Sequence, residues 1–296
     1  MERVGGGKGS ISENTSTGIA LNSKIFTADS STKPISGIYK CPNCKLVQLF
    51  PRVSDSQSTD AYTSSNSENF HNPSIYRIKS FKRAMSKLKK ISLSDISTVC
   101  DIGCASGEFL SSISDKVETC IGIEPNKNLG AIARSDYGLE IFTGTLTTFN
   151  SKTKFDLVTM WDVLEHVASP KATLEKLDDL FIGVKLNETR DKQAMEGKRK
   201  KYLILNLPMI DTLPARLLGS FWPFYLEVHI YYFTLRTIKL YTQELGFELI
   251  EQKRYWQTLP LRYLMRRYTA NSLNWVPNIP VKYYLGQRTL VFCKYV

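Results

Sequence analysis

The sequence predicts an α/β protein built on a mostly parallel sheet with helices on both faces. Three observations lead there. Residues 96–102 form an apolar run rich in β-branched side chains, the pattern of a strand buried on both faces. That run ends in Asp101-Ile-Gly-Cys-Ala-Ser-Gly107, a turn of small residues, after which Glu108, Phe109 and Leu110 open an amphipathic pattern. Downstream, short apolar runs alternate with helical patterns as far as residue 254, the signature of βαβ crossovers.

A strand that passes through a glycine turn into a helix brings backbone N–H groups close to a ligand at the carboxyl edge of the sheet. The turn has one glycine too few for the dinucleotide pattern G-x-G-x-x-G and lacks the lysine of a P-loop. An acid ahead of the first glycine repels a pyrophosphate and suits a neutral or cationic ligand. The next apolar run, 119–124, ends in Glu124, 23 residues beyond Asp101, the spacing at which a carboxylate meets a ribose diol. On these residues the chain resembles the class I S-adenosylmethionine-dependent methyltransferases, whose first motif reads roughly [VI]-L-D-[IV]-G-C-G-x-G. The departure is Ala105 at the middle glycine, which is tolerable if its φ stays negative.

The resemblance implies a Rossmann-like sheet of seven strands and S-adenosylmethionine as methyl donor, with S-adenosylhomocysteine as product. It places Asp101, Gly103, Cys104, Ala105 and Gly107 around the donor, with Glu124 and Pro125 at its ribose. Thr145 and Leu146, in the loop after the third strand (139–142), fall at the adenine. The fourth strand, 155–161, runs into Asp162-Val-Leu-Glu-His166, similar to the D-V-[LI]-E-H string of the same family. In relatives this string lies between donor and acceptor, so Trp161 and Asp162 are assigned to the donor and Val163 and Glu165 to the acceptor side.

Ahead of the core, residues 1–36 are rich in Ser, Thr, Gly and Asn and read as a disordered tail. Residues 37–90 form an extension. It holds Cys41-x-x-Cys44, a zinc-knuckle spacing without the second pair of ligands that a structural zinc needs, and His71 is the only other histidine before the core. A β-hairpin with two free thiols is the preferred reading, and no metal is expected. Residues 55–69 read as a polar loop. Residues 74–90 carry apolar side chains at helical spacing with a basic outer face, either a lid over the donor or a helix packed on the sheet.

Residues 91–296 are the methyltransferase domain of this reading. Asn126 caps a helix, and Pro170 opens another at its first turn. Residues 185–201 form a basic insert longer than an ordinary connection, before a fifth strand at 201–207. Residues 208–233, dense in aromatics, resemble the family's acceptor lid and end in His229-Ile-Tyr-Tyr-Phe-Thr234, an H-x-x-[YF]-F-[ST] string. Trp222, Tyr225, Tyr231 and Tyr232 are assigned to the acceptor wall, and His229 and His166 to the removal of an acceptor proton. Thr234 caps the next helix, 247–254 is a sixth strand, 261–268 is a basic amphipathic helix, and 288–295 is the last, antiparallel strand.

Six cysteines placed mostly in apolar strand patterns, with no apolar run near 18 residues and no leader-like start, suit a cytoplasmic protein. The net charge of +11 admits nucleic acid, an anionic membrane surface, a phosphorylated substrate, or only a solvated surface. No RNA-binding string is visible, so nucleic acid is set aside. The Trp222/Tyr225 cluster and Arg262, Arg266 and Arg267 leave contact with an anionic membrane open, making the protein peripheral. The expected activity is O-methylation of a small-molecule, sugar, glycan or lipid-linked acceptor. The alternatives are an RNA methyltransferase and a cofactor-binding protein without turnover.

Overall fold

The computed structural model describes residues 2–5, 37–50, 62–63, 74–181, 199–226, 228–266 and 275–296. In chain order the strands are β1 (Glu2–Gly5), β2 (Gly37–Lys40), β3 (Val47–Phe50), β4 (Thr98–Ile102), β5 (Thr119–Glu124), β6 (Glu140–Thr143), β7 (Leu157–Trp161), β8 (Lys200–Pro208), β9 (Tyr231–Tyr232), β10 (Glu248–Arg254), β11 (Gln257–Pro260), β12 (Pro280–Tyr283) and β13 (Gln287–Tyr295). The helices are α1 (Ser74–Ser86), α2 (Glu108–Ser111), α3 (Lys127–Tyr137), α4 (Pro170–Asp178), α5 (Leu213–Leu218), α6 (Leu235–Gln243) and α7 (Leu261–Arg266).

Seven strands make the central sheet in the order β10-β13-β8-β7-β4-β5-β6. The pairs from β8 to β6 are parallel, and β13 runs antiparallel to both β8 and β10. The expected seven-stranded, mostly parallel Rossmann-like sheet is therefore what the chain forms. Strand order reverses at β4, which lies between β5 and β7, so the crevice beyond the carboxyl ends of β4, β5 and β7 is the topological switch point at which such sheets bind ligands.

Local chemistry accounts for the crossovers. Asn126 Oδ1 accepts from the N–H groups of Asn128 and Leu129, and Gly138 closes α3 in the left-handed conformation. Ser169 caps α4 with Pro170 in its first turn, and Thr234 Oγ1 accepts from the Thr237 N–H at the start of α6. One core face gathers Ile102, Met160, Leu203, Leu205 and Phe292, and the other gathers Phe109, Leu110, Leu157, Ile204 and Val291. At the opposite edge of the sheet, the buried Lys201 ammonium meets Asp156 at 2.6 Å, and Asp156 also accepts from the N–H groups of Ser97 and Thr98. One carboxylate thus ties β4, the entry to β7, and β8 together.

Several features depart from the sequence reading. The tail does not begin unstructured, because Glu2–Gly5 pairs antiparallel with β2, and residues 6–36 lie outside the described residues. The C-x-x-C turn does sit in a β2–β3 hairpin, but that hairpin joins the aromatic segment through β3 and β9. The extension and the lid therefore share one four-stranded sheet, β1-β2-β3-β9, across the expected boundary at residue 90. The α1 helix packs on β11 and α2, with Thr258 donating its N–H to Ser80 and Arg83 bonding Thr258 Oγ1. The antiparallel pairing of β11 with β12 has no counterpart in the sequence reading. Expectations for the 55–69 loop (apart from residues 62–63), the 185–198 insert, His71 and Arg267 fall outside the described residues. Among the described residues no helix is long and apolar enough to cross a membrane.

Candidate active site

The turn after β4 takes its shape from Glu124. Glu124 is fully buried; its Oε2 accepts the Ala105 N–H at 2.9 Å and its Oε1 accepts the Asn126 N–H at 2.8 Å. The first of these bonds pulls the turn onto the end of β5 and leaves Ala105 at φ +49°, a left-handed conformation. The expectation of a negative φ at Ala105 is thus corrected, and the residue pays the strain that a glycine avoids. Gly103 and Gly107 are also left-handed. A Cβ on Gly103 would stand 2.6 Å from Val163, and one on Gly107 2.6 Å from Leu139. The turn is therefore pressed against the loop after β7 on one side and against the α3–β6 connection on the other.

The helix that follows is a single turn of four residues, so the expected helix N-terminus supplies little dipole. Carboxylates dominate instead. Asp101 is buried and accepts from Thr159 Oγ1 at 2.6 Å. Asp162, held at φ +57°, accepts from Asn206 Nδ2 and Gln287 Nε2 through its Oδ1. Loss of hydration pushes Asp101 up to about 8, Glu124 to about 7 and Asp162 to about 6. Within a protein of net charge +11, this is a locally acidic cleft.

Two residues of the cleft escaped the sequence reading. Tyr62, in the segment expected to be a polar loop, hydrogen-bonds Glu124 through its hydroxyl, and its carbonyl accepts from Asn126 Nδ2 at 3.1 Å. Arg77 of α1 lies 3.9 Å from Glu108 and close enough to Asp101, Glu124 and Asp162 to favour their ionised forms. The signal for Arg77 was the basic face of α1, which was weighed only as a lid or as solvated surface. Trp161, expected beside the donor, is buried among Phe81, Phe109 and Tyr255, and its indole Nε1 has no hydrogen-bond partner. Cys104 is buried under the turn against Gly122, Pro125 is half-buried, and Leu146 is buried. The loop of Thr145 is brought to β5 by the Gly144 N–H on the Glu124 carbonyl.

On the far side of the Val163 contact stand both predicted histidines. The His166 and His229 rings are 4.7 Å apart, edge to face. His166 Nδ1 bonds the Val228 carbonyl at 2.8 Å and His229 Nδ1 bonds the Phe224 carbonyl at 2.7 Å. A carbonyl only accepts, so both Nδ1 atoms carry protons and both Nε2 atoms keep a lone pair. Desolvation lowers His166 to about 4 and His229 further, so both rings are neutral at pH 7. Glu165 is fully buried with neither carboxyl oxygen bonded, and burial pushes it well above the usual carboxylate range.

The aromatic wall is differently arranged from expectation. Trp222 and Tyr232 are core residues of the small sheet, packed with Ile38, Val47 and Leu49. Their polar tips are spent on backbone, Trp222 Nε1 on Leu285 and the Tyr232 hydroxyl on Leu226, as is the Tyr231 hydroxyl on Ala168. Trp222 and Tyr232 thus build the core of the small sheet, whereas Tyr231 lines the cleft beside α6. Tyr225 stays half-buried against Trp222 and Tyr232, and Phe224 stacks on His229. Cys41 and Cys44 are free thiols. Two surface clefts, of about 500 and 400 Å³, flank the C-x-x-C hairpin and α6, away from the turn at 101–107.

A switch-point crevice, a glycine turn held by a carboxylate at the end of the second core strand, and an acidic lining define an S-adenosylmethionine-dependent methyltransferase of the class I fold. Residues 75–252 match the methyltransferase domain family, and the chain belongs to that family. No curated protein matches the chain in sequence. Among solved structures, the magnesium protoporphyrin IX methyltransferase of Synechocystis PCC 6803 with bound S-adenosylmethionine is 14% identical. The match covers 82% of this chain and 99% of that one, with a TM-score of 0.50. A Haloferax volcanii methyltransferase solved with the Trm112 methyltransferase activator is 13% identical over 80% and 96% of the two chains, also at 0.50. A Thermotoga maritima methyltransferase described as a possible histamine N-methyltransferase is 18% identical over 75% and 90%, at 0.47. At these identities the likeness is one of fold.

Proposed function

We propose that the protein transfers the sulfonium methyl of S-adenosylmethionine to a hydroxyl of a small-molecule, sugar or lipid-linked acceptor. The observation that carries this is the position of the histidine pair. Val163 links it to the donor turn: its side chain packs against Gly103 and its carbonyl accepts the His166 N–H, while both Nε2 atoms keep a lone pair. The acidic lining of Asp101, Glu124 and Asp162 favours a ligand bearing sulfonium and ammonium charges. Arg77, the cation among these acids, takes the donor's carboxylate. Glu124 takes the ribose diol. Its two backbone bonds leave about two acceptor sites, one of them held by Tyr62, so Tyr62 releases Glu124 as the donor enters. Because the methyl group is already activated, alignment of acceptor oxygen, methyl and sulfur supplies much of the rate.

A lipid-linked acceptor has specific support in the lid. Leu213, Leu217 and Phe221 are 68%, 76% and 74% exposed, an apolar stripe on α5 and the turn after it. Trp222, only 2% exposed, is not part of any membrane-facing surface, so these three side chains replace the Trp222/Tyr225 cluster in that reading. The test is incubation with methyl-labelled S-adenosylmethionine and separate polar and lipid extracts, with products read by mass spectrometry. Label on a hydroxyl oxygen supports the proposal. Label on nitrogen or carbon alone, or on RNA, contradicts it.

A further inference from the structure

Among the described residues, Glu165, His166 and His229 each offer one ligating atom, and these atoms all lie within 4.8 Å of one another. Ligand atoms bonded at about 2.1 Å to a tetrahedral ion stand about 3.4 Å apart, so side-chain rotations of about an ångström close the set. The surroundings are those of a metal site. Each histidine donates its Nδ1–H to a backbone carbonyl, Val228 for His166 and Phe224 for His229, which fixes the ring and leaves Nε2 bare. That is the outer-shell arrangement of ligating histidines. Glu165 is fully buried with both oxygens unbonded, a costly state that a cation relieves. Glu165 and His229 are buried while His166 is partly exposed, so one side of the cluster stays open.

From this geometry we infer that Glu165, His166 and His229 bind one divalent first-row transition metal ion, with an open position toward the acceptor. Two imidazoles and one carboxylate favour ions such as Co²⁺ or Zn²⁺ over Mg²⁺ or Ca²⁺, which prefer all-oxygen shells. The sequence reading expected no metal and considered only Cys41 and Cys44, whose turn lacks further ligands. The C-x-x-C pair and the Glu-His-His cluster are separate places in the fold. What the ion does rests on the O-methylation reading: an acceptor hydroxyl at the open position loses its proton more readily. Ion binding itself does not rest on that reading.

The test is Co²⁺ titration of the wild type and of a Cys41→Ser/Cys44→Ser variant, followed by visible absorption and by proton NMR. We expect one Co²⁺ per chain in both, with two histidine ring N–H signals shifted by the paramagnetic ion. Glu165→Gln and His229→Gln should weaken binding at least about 100-fold. Retained S-adenosylhomocysteine binding shows that each variant is folded, and the shifted wild-type signals stand without any variant. Absence of Co²⁺ binding by folded wild type, or binding abolished in the Cys41→Ser/Cys44→Ser variant, would overturn the inference. Co²⁺ binding without any S-adenosylhomocysteine binding would sustain the metal site and overturn the methyltransferase reading alone.

Discussion

Ala105 sits at φ +49° because its N–H is drawn to Glu124, and the methyl group there costs about 1–2 kcal/mol that glycine avoids. Glycine in turn costs about 0.4–1 kcal/mol more in the unfolded chain. Ala105→Gly should therefore raise stability by about 0–1.6 kcal/mol, a rise of at most a few degrees in Tm. A fall in Tm by calorimetry would show that the turn relaxes to a negative φ. Glu124 itself makes donor affinity pH-dependent. Burial lifts it to about 7, and a ribose diol donates more strongly to the ionised form, whose two oxygens only accept. S-adenosylhomocysteine binding should tighten as pH rises through about 7, with proton release seen by titration calorimetry in two buffers. At the histidines, His229→Ala or His166→Ala should lower kcat by about 10²–10⁴-fold with donor affinity intact, whether Nε2 takes the acceptor proton itself or holds the ion that acidifies the hydroxyl. If only the acceptor KM rises, the pair does not act on the acceptor proton.

At the level of elements, the joint of Lys201, Asp156 and the β4 N–H groups carries more than its length suggests. Lys201 is 1% exposed, and removing its partner leaves a buried ammonium. Asp156→Asn should destabilise the protein by about 3 kcal/mol, read from urea unfolding, whereas Lys201→Met should cost less because the hydrophobic replacement leaves no buried cation. A difference of the opposite sign would contradict an unpaired buried ammonium as the main cost. This joint was not legible beforehand, since Asp156 and Lys201 are 45 residues apart and neither belongs to a motif. What was legible had a local cause. Asn126, Ser169 and Thr234 announce helix starts by side-chain capping, and the glycines at 103 and 107 announce a turn with positive φ. Tyr62 and Arg77 were hidden because their meaning arises only when α1 and the 62–63 segment fold back over the sheet. The Trp222 and Tyr232 rings were misplaced for the same reason: aromatic density reads alike for a ligand wall and for a small core, and the β3–β9 pairing decided for the core.

For the molecule as a whole, burial of acids against the sheet sets a pH response. Asp101 at about 8 and Glu124 at about 7 hold protons in the folded chain that the unfolded chain has already released above about pH 4. Between about pH 7 and 8 the histidines are largely neutral in both states, so these carboxyls decide the slope. The folded state binds more protons, and stability of the ligand-free protein falls as pH rises across that window. Below it the depressed histidines act in the other direction: the unfolded state takes up their protons first, which offsets part of the carboxyls' effect as pH drops toward 4. A Tm that stays flat or rises from about pH 7 to 8 would contradict the folded arrangement of Asp101 and Glu124. The same acids attract a cationic ligand, which ties the pH response to the donor site.

The claim on which the account turns is that the turn at 101–107 and Glu124 together hold the methyl donor. Titration calorimetry of S-adenosylhomocysteine with wild type and Glu124→Ala tests it most directly. The account predicts binding at one site per chain and a loss of about 3 kcal/mol in the variant, on the order of 100-fold, as charge-assisted hydrogen bonds to the ribose disappear. Unchanged affinity in Glu124→Ala, or tight binding of a nicotinamide dinucleotide with none of S-adenosylhomocysteine, would contradict it.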